Sequence, residues 1–270
     1  MKCVPIKGII TPILTPMNAD ESVNLDELRR QIERLIAGGV HGIFPFGTNG
    51  EGYILSMEEK ISVLEATIDQ VKGRVPVYAG TGCVTPSPSA VRRSAWARTS
   101  CPSLPPSFAV ASQQELYDHY CAVAAHVDTP IVLYNIPART GNKLLPETVC
   151  RLAKDVDFSV LSGNDSLILP ALKEGGVGGI AGCSNVYPMV LSSIYELFQE
   201  GKLDEAQAAQ DSIASFRAVF KYGNPNTVVK TAAMLGYNVG KCRAPFNQLP
   251  QEGLEALEKV LQENKDKGMC

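Results

Sequence analysis

The chain is 270 residues long, 45% hydrophobic and 20% charged, which suits a globular protein of one large or two modest domains. Its formal net charge of −3 gives no electrostatic reason to expect nucleic acid or an anionic membrane as a partner. No apolar run approaches the roughly 20 residues of a membrane-spanning helix, and no secretory-type segment follows Met1 to Cys3, so a cytoplasmic protein is expected. The eight cysteines are scattered without a Cys-x-x-Cys pair, and His41, His119 and His126 stand far apart. Reduced thiols are expected, with no metal and no cofactor.

Residues 8–14 are a short apolar run of strand type. Asn24, with Glu27 three places on, reads as a helix cap. Leu25, Leu28, Ile32, Leu35 and Ile36 then recur at helical spacing until Gly38 and Gly39 stop them. Residues 42–46 make a second strand, which runs into Gly47-Thr-Asn-Gly-Glu51. Ser56 and Glu59 cap a second helix through about residue 71, and residues 75–80 make a third strand. Strand and helix alternate, as in a parallel α/β fold.

Residues 85–106 break the rhythm. A helix and a fourth strand belong here, yet the stretch carries five prolines, and its second half is expected to be unable to form a central strand. The genetic code offers a reason. Bases that encode residues 95–106 can also be read one step over as Leu-Gly-Ala-Asp-Val-Leu-Ser-Val-Ile-Thr-Pro, a helix-ending glycine followed by an apolar strand. The hypothesis is that residues 86–105 come from a shifted reading frame, the alternative being a natural proline-rich loop.

Order resumes at Ser112, which with Glu115 caps a helix to about residue 126. The apolar run Ile131 to Leu133 ends in Tyr134, and Pro137, Arg139 and Gly141 follow in a turn. Residues 146–153 make a short helix, 157–165 a strand and loop, 166–174 a brief helix and 178–182 a glycine-rich strand. Beyond Pro188 the pattern is helical, over 189–200, 203–222, 227–235 and 250–265. The division expected is a barrel domain over 1–200 and a helical region over 201–270.

In parallel barrels chemistry is built at the C-terminal ends of strands, which is where Tyr134 falls, with Arg139 on the loop above it. A phenol can move protons, and a guanidinium can grip a carboxylate through two parallel bonds. By themselves the two residues could equally be a core-capping tyrosine and a loop charge.

Gly47-Thr-Asn-Gly-Glu51, Leu133-Tyr-Asn-Ile-Pro-Ala-Arg-Thr-Gly141, and Leu161-Ser-Gly-Asn-Asp165 ahead of Gly175-Gly-Val-Gly-Gly-Ile180 occur in that order. Together they resemble the dihydrodipicolinate synthase / N-acetylneuraminate lyase family over nearly the whole chain. The resemblance implies a TIM (β/α)8 barrel with C-terminal helices, a homotetramer, and class I aldolase chemistry on pyruvate and an aldehyde. In that chemistry a lysine amine forms a Schiff base with the 2-oxo acid. The resemblance makes Tyr134 the proton-moving phenol and Thr48 its relay. It gives the pyruvate carboxylate to the backbone of Thr48 and Asn49, a carboxylate of the second substrate to Arg139, and a place at the substrate to Ile180.

The chain departs from that pattern at three points. Asn49 stands where the synthases often carry a second threonine, and Phe108 where the family's second relay tyrosine falls. The Schiff-base lysine belongs to a sixth strand, and no matching segment exists, because residues 152–159 run straight from the fifth helix into the next strand. Roughly two dozen residues, one βα unit, are expected to be missing, leaving the barrel incomplete. Ser162 stands where the lysine would be counted, and Lys154 is the lysine near the junction. The remaining lysines are expected to be mostly solvated. The reading is therefore a pyruvate-dependent aldolase or 4-hydroxy-tetrahydrodipicolinate synthase-like enzyme, the alternative being an inactive relic or a small-acid-binding homologue. Sequencing the gene tests the shifted frame: compensating indels bracketing codons 86–105 are expected, and an unshifted alignment of bases with related genes would contradict the idea.

Overall fold

A computed structural model describes residues 6–80, 101–103, 109–125, 131–152 and 160–269. In chain order its strands are β1 (Gly8–Thr11), β2 (Gly42–Ile43), β3 (Cys101–Ser103), β4 (Ile131–Leu133), β5 (Leu161–Ser162) and β6 (Gly178–Ile180). The α-helices are α1 (Leu25–Ala37), α2 (Met57–Val71), α3 (Gln113–Ala124), α4 (Pro137–Thr140), α5 (Pro146–Leu152) and α6 (Ile168–Lys173). They continue as α7 (Pro188–Gln199), α8 (Leu203–Ser212), α9 (Ala214–Ala218), α10 (Pro225–Met234) and α11 (Gln251–Asp266). The chain divides into two compact units, one of residues 5–75 and 159–270, the other of residues 1–4 and 76–158.

The larger unit is built on a parallel sheet in the order β2-β1-β6-β5. Its central strand β1 is wholly buried, with Ile10 facing Gly42 on one side and Ile180 on the other. Strands buried on both faces must be apolar or small throughout, which is what Gly8-Ile-Ile-Thr11 and Gly178-Gly-Ile180 supply. The helices cover the sheet with the residues their periodicity selects: Leu28, Ile32 and Leu35 of α1 are fully buried. A second core joins Ile168 and Leu169 of α6, Leu191 and Ile194 of α7, and Phe216, Val228 and Leu257 of the later helices. Phe216 meets Tyr187 edge to face at 5.4 Å between ring centres.

The caps stand where the sequence puts them. Asn24 Oδ1 accepts from the Glu27 amide at 2.9 Å, and Ser56 and Glu59 satisfy each other's backbone amides. The smaller unit repeats the device: Ser112 and Glu115 cap α3, and Leu116 and Tyr120 pack against Leu144. Among the described residues, no helix is long and apolar enough to cross a membrane.

Several expectations need correction. The proline-rich stretch was expected to be unable to form a central strand, and among the described residues Cys101–Ser103 makes the short strand β3, which pairs in parallel with β4 in a two-stranded sheet, Pro102 opposite Val132. Alternate N–H groups of a strand point to opposite sides, so a proline whose nitrogen faces away from its partner removes no ladder bond. The other residues of 86–105, with Phe108 and Lys154, lie outside the described residues, as does the junction at 153–159. The strand at 42–46 is shorter than expected because Phe46 takes a left-handed backbone, φ 69°, and turns the chain. The strand at 75–80 is reduced to one bridging residue, Val77. The helix at 203–222 is broken into α8, α9 and a 3-10 turn at Val219–Tyr222.

Candidate active site

The loops that follow β1, β2 and β6 gather at the C-terminal edge of the larger unit's sheet. Beyond β2, Phe44 still donates to Thr11 O at 2.8 Å and accepts from Ile13 N at 3.1 Å. The chain then folds into the turn Gly47-Thr-Asn-Gly-Glu51, closed by the Glu51 amide on Thr48 O at 3.1 Å. Phe46 and Glu51 both have positive φ, 69° and 54°, although neither is glycine. Each such residue costs on the order of 1–3 kcal/mol and persists only where its surroundings impose it. Gly52 is required next to them, because a Cβ there would lie 2.3 Å from Phe46 O.

What imposes the turn is a buried charge cluster. Glu51 is fully buried, and its carboxylate accepts from Lys230 Nζ on α10 and, at 2.7 Å, from the Arg243 backbone amide. Lys230 is also fully buried and gives a second bond, 2.9 Å, to Thr15 O beyond β1. Thr15 Oγ1 in turn donates to Gly50 O at 2.7 Å. The turn is thus tied at Gly50 and Glu51 to the loop after β1 and to a helix nearly 180 residues away. The Arg243 side chain forks onto Glu59 and Glu21 O, and it holds the Glu59 carboxyl below the usual carboxylate range. Beside the cluster, burial, reinforced by the Glu51 charge, pushes the Cys242 thiol up to about 12.

Thr48 and Asn49 form the tip of this turn, half-buried. Among the described residues, no acceptor is bonded to the backbone N–H of either. The side-chain nitrogen of Asn49 lies against Gly182, 2.7 Å from where a Cβ would stand, so a Cβ at residue 182 would displace the Asn49 side chain. Asn185 clasps the same edge: Oδ1 accepts from Leu14 N at 3.1 Å, and Nδ2 donates to Pro12 O at 2.9 Å. Thr11 Oγ1 and Ser184 Oγ share a bond of 2.7 Å. Ile180 closes β6 beside them, half-buried. Thr48, Asn49 and Ile180 therefore share one sheet edge, whose two free amides can take a carboxylate.

Tyr134 and Arg139 belong to the smaller unit, and Ser162 to the larger. Tyr134 follows the last residue of β4 and is half-buried. Arg139 was expected on a loop but lies in α4, a single helical turn opened by Pro137 and ended by Gly141 at φ 76°. Proline at the first position and a left-handed glycine after the last are what such a short helix needs. Ser162, at the counted place of the lysine, spends its hydroxyl on Asn164 O at 2.9 Å.

Two residues with no assigned role emerge as central. Glu51 was visible only as the end of a motif, and Lys230 only as one residue of a helix. The expectation that the lysines are mostly solvated fails at Lys230, because α10 is buried nearly all round, from Asn226 through Lys230 and at Ala232 and Ala233.

Comparison with known proteins decides the lineage. The model of the dihydrodipicolinate synthetase family matches residues 5–157 and 154–264. The chain belongs to this family. It is 34% identical over 287 aligned positions to a 4-hydroxy-tetrahydrodipicolinate synthase of Methanospirillum hungatei, covering 94% of this chain and 98% of that one. The solved 4-hydroxy-tetrahydrodipicolinate synthase of Methylacidiphilum fumariolicum superposes with a TM-score of 0.92 at 30% identity, covering 97% of both chains. A family member from E. coli K12, solved in complex with pyruvate, gives 0.92 at 26% identity over 99% of this chain and 100% of that one. The fold class is α/β, the TIM-barrel type of these dihydrodipicolinate synthase structures.

The burial of the turn cluster has a chemical consequence. Cys121 and Cys150 are exposed, whereas Cys183 and Cys242 are buried and disfavour the thiolate. At pH 8, iodoacetamide followed by mass spectrometry is expected to label Cys121 and Cys150 and to spare Cys183 and Cys242 until denaturant is added. Native labelling of Cys242 at the pace of Cys121 would contradict the closed cluster.

Proposed function

We propose that this chain is a pyruvate-dependent carbon–carbon lyase of the 4-hydroxy-tetrahydrodipicolinate synthase kind, binding the pyruvate carboxylate at Thr48 and Asn49. The observation that carries it is the pair of unbonded backbone amides at the tip of a turn fixed to the sheet's C-terminal edge. The pyruvate complex of the E. coli K12 family member, and the synthase name of the Methanospirillum hungatei relative, support the choice of ligand. In this reading Ile180 lines the pyruvate site, Tyr134 moves protons with Thr48 as relay, and Arg139 grips a carboxylate on the aldehyde substrate. The family's pattern extends the proposal to a homotetramer in the cytoplasm, with the barrel over 1–200 and helices over 201–270.

The reaction needs an amine. A lysine nitrogen adds to the pyruvate ketone, water leaves, and the protonated imine takes up the electron pair released when the neighbouring carbon loses a proton. A second reading, an acid-binding homologue without imine chemistry, is favoured by one observation: no described strand carries a lysine. Support for a lost βα unit comes from the family match, whose two pieces meet at residues 154–157. The aligned span of 287 positions also exceeds the 270 residues present. Lys230, fully buried and bonded to Glu51 and Thr15, is not positioned to meet a carbonyl from solvent.

Borohydride separates the two readings, because it reduces an imine to a stable secondary amine. On the lyase reading, incubation with pyruvate and borohydride adds the mass of one reduced pyruvate per chain, at a single lysine. An unchanged mass, with pyruvate binding retained, rejects the lyase reading and leaves the acid-binding one.

A further inference from the structure

The Glu51–Lys230 pair has a geometry that stability alone does not explain. Two charges are wholly withdrawn from water, which costs several kcal/mol per ion before their attraction is counted. A well-packed apolar pair of the same volume commonly does as well for stability. The polar pair does something an apolar one cannot, because its hydrogen bonds have directions. Lys230 Nζ is shared between Glu51 and Thr15 O, and the second oxygen of Glu51 takes the Arg243 amide. These bonds hold Glu51 at φ 54°, one residue after Gly50 and two after Asn49. Thr15, pulled by the same ammonium through its carbonyl, holds Gly50 O through its hydroxyl. Moving Nζ or the carboxylate therefore moves both anchors of the turn tip together.

We infer that Glu51 and Lys230 are positioning residues for small-acid recognition, fixing the direction of the Thr48 and Asn49 amides without touching the ligand. The inference rests on the proposed pyruvate site and deepens it. Amides that take a carboxylate must converge on it, and displacement of recognition groups by an ångström costs roughly 10-fold to 100-fold. In Lys230→Met the ammonium is lost, so Glu51 Oε1 and Thr15 O lose the Lys230 donor while Glu51 Oε2 keeps the Arg243 amide. In Glu51→Gln the shape is kept, but one side-chain atom facing Lys230 and the Arg243 amide becomes a donor instead of an acceptor. The two substitutions disturb the same turn from opposite ends, so they are expected to have the same effect on binding.

The test is calorimetric titration of the full-length chain with sodium pyruvate, at a temperature where circular dichroism shows each variant folded. Wild type is expected to bind saturably, and K230M and E51Q to bind about 10-fold or more weakly. A purely structural role predicts a lower Tm with the Kd of the folded protein unchanged. E51Q, isosteric with wild type, decides the matter if K230M does not fold. Wild-type affinity in folded E51Q overturns the inference and leaves the pyruvate site standing, whereas a wild type that does not bind pyruvate overturns both.

Discussion

A fully buried ammonium on α10 meets a fully buried carboxylate at the end of the turn after β2, and much of the larger unit is arranged to make that meeting possible. Removing one partner of such a pair leaves an uncompensated charge, which costs on the order of 3–5 kcal/mol. Each extra hydrogen bond that the pair makes reduces the penalty, and Thr15 O and the Arg243 amide provide two. The bonds tie three distant stretches together: the loop after β1, the turn after β2, and the C-terminal segment around α10. The later helices are thereby more than a covering layer. They deliver the charge that sets the geometry of the sheet's edge.

The same edge shows how a site can be assembled from backbone rather than from reactive side chains. Asn185, Thr11 and Ser184 spend their polar atoms on neighbouring loops, and Gly182 leaves room for Asn49. Among the described residues, the N–H groups of Thr48 and Asn49 are bonded to no acceptor. Two adjacent backbone donors left open in this way can receive an anion. Membership in the dihydrodipicolinate synthetase family agrees with a small 2-oxo acid as that anion.

Much of this was legible in the residues. Helix starts at Asn24, Ser56 and Ser112 were readable because capping is local chemistry, three residues wide. The strand end before Tyr134 was readable from an apolar run meeting a polar turn, whereas β2 stops at Ile43 and β6 at Ile180, short of the expected 46 and 182. Pro102 stands in the short β3, and composition does not tell which side of a strand its nitrogen faces. Phe46 and Glu51 gave no sign of their left-handed backbone, which tertiary bonds impose. Lys230 was illegible for a similar reason: its partner lies 179 positions away, and nothing local marks a lysine as buried. Its setting among Val228, Val229, Ala232 and Ala233 was the one available hint.

Whether the buried pair holds the Gly47–Gly52 turn rigid is read from amide hydrogen exchange on the wild-type chain. Glu51 N and Gly52 N are bonded within the turn, to Thr48 O and Gly47 O, while the loop at Asn18–Ser22 is bonded at the exposed surface. In a rigid turn the Glu51 and Gly52 amides exchange only with global unfolding, as slowly as those of β1. Exchange at the rate of the Asn18–Ser22 loop would show that the turn opens locally and would contradict that rigidity.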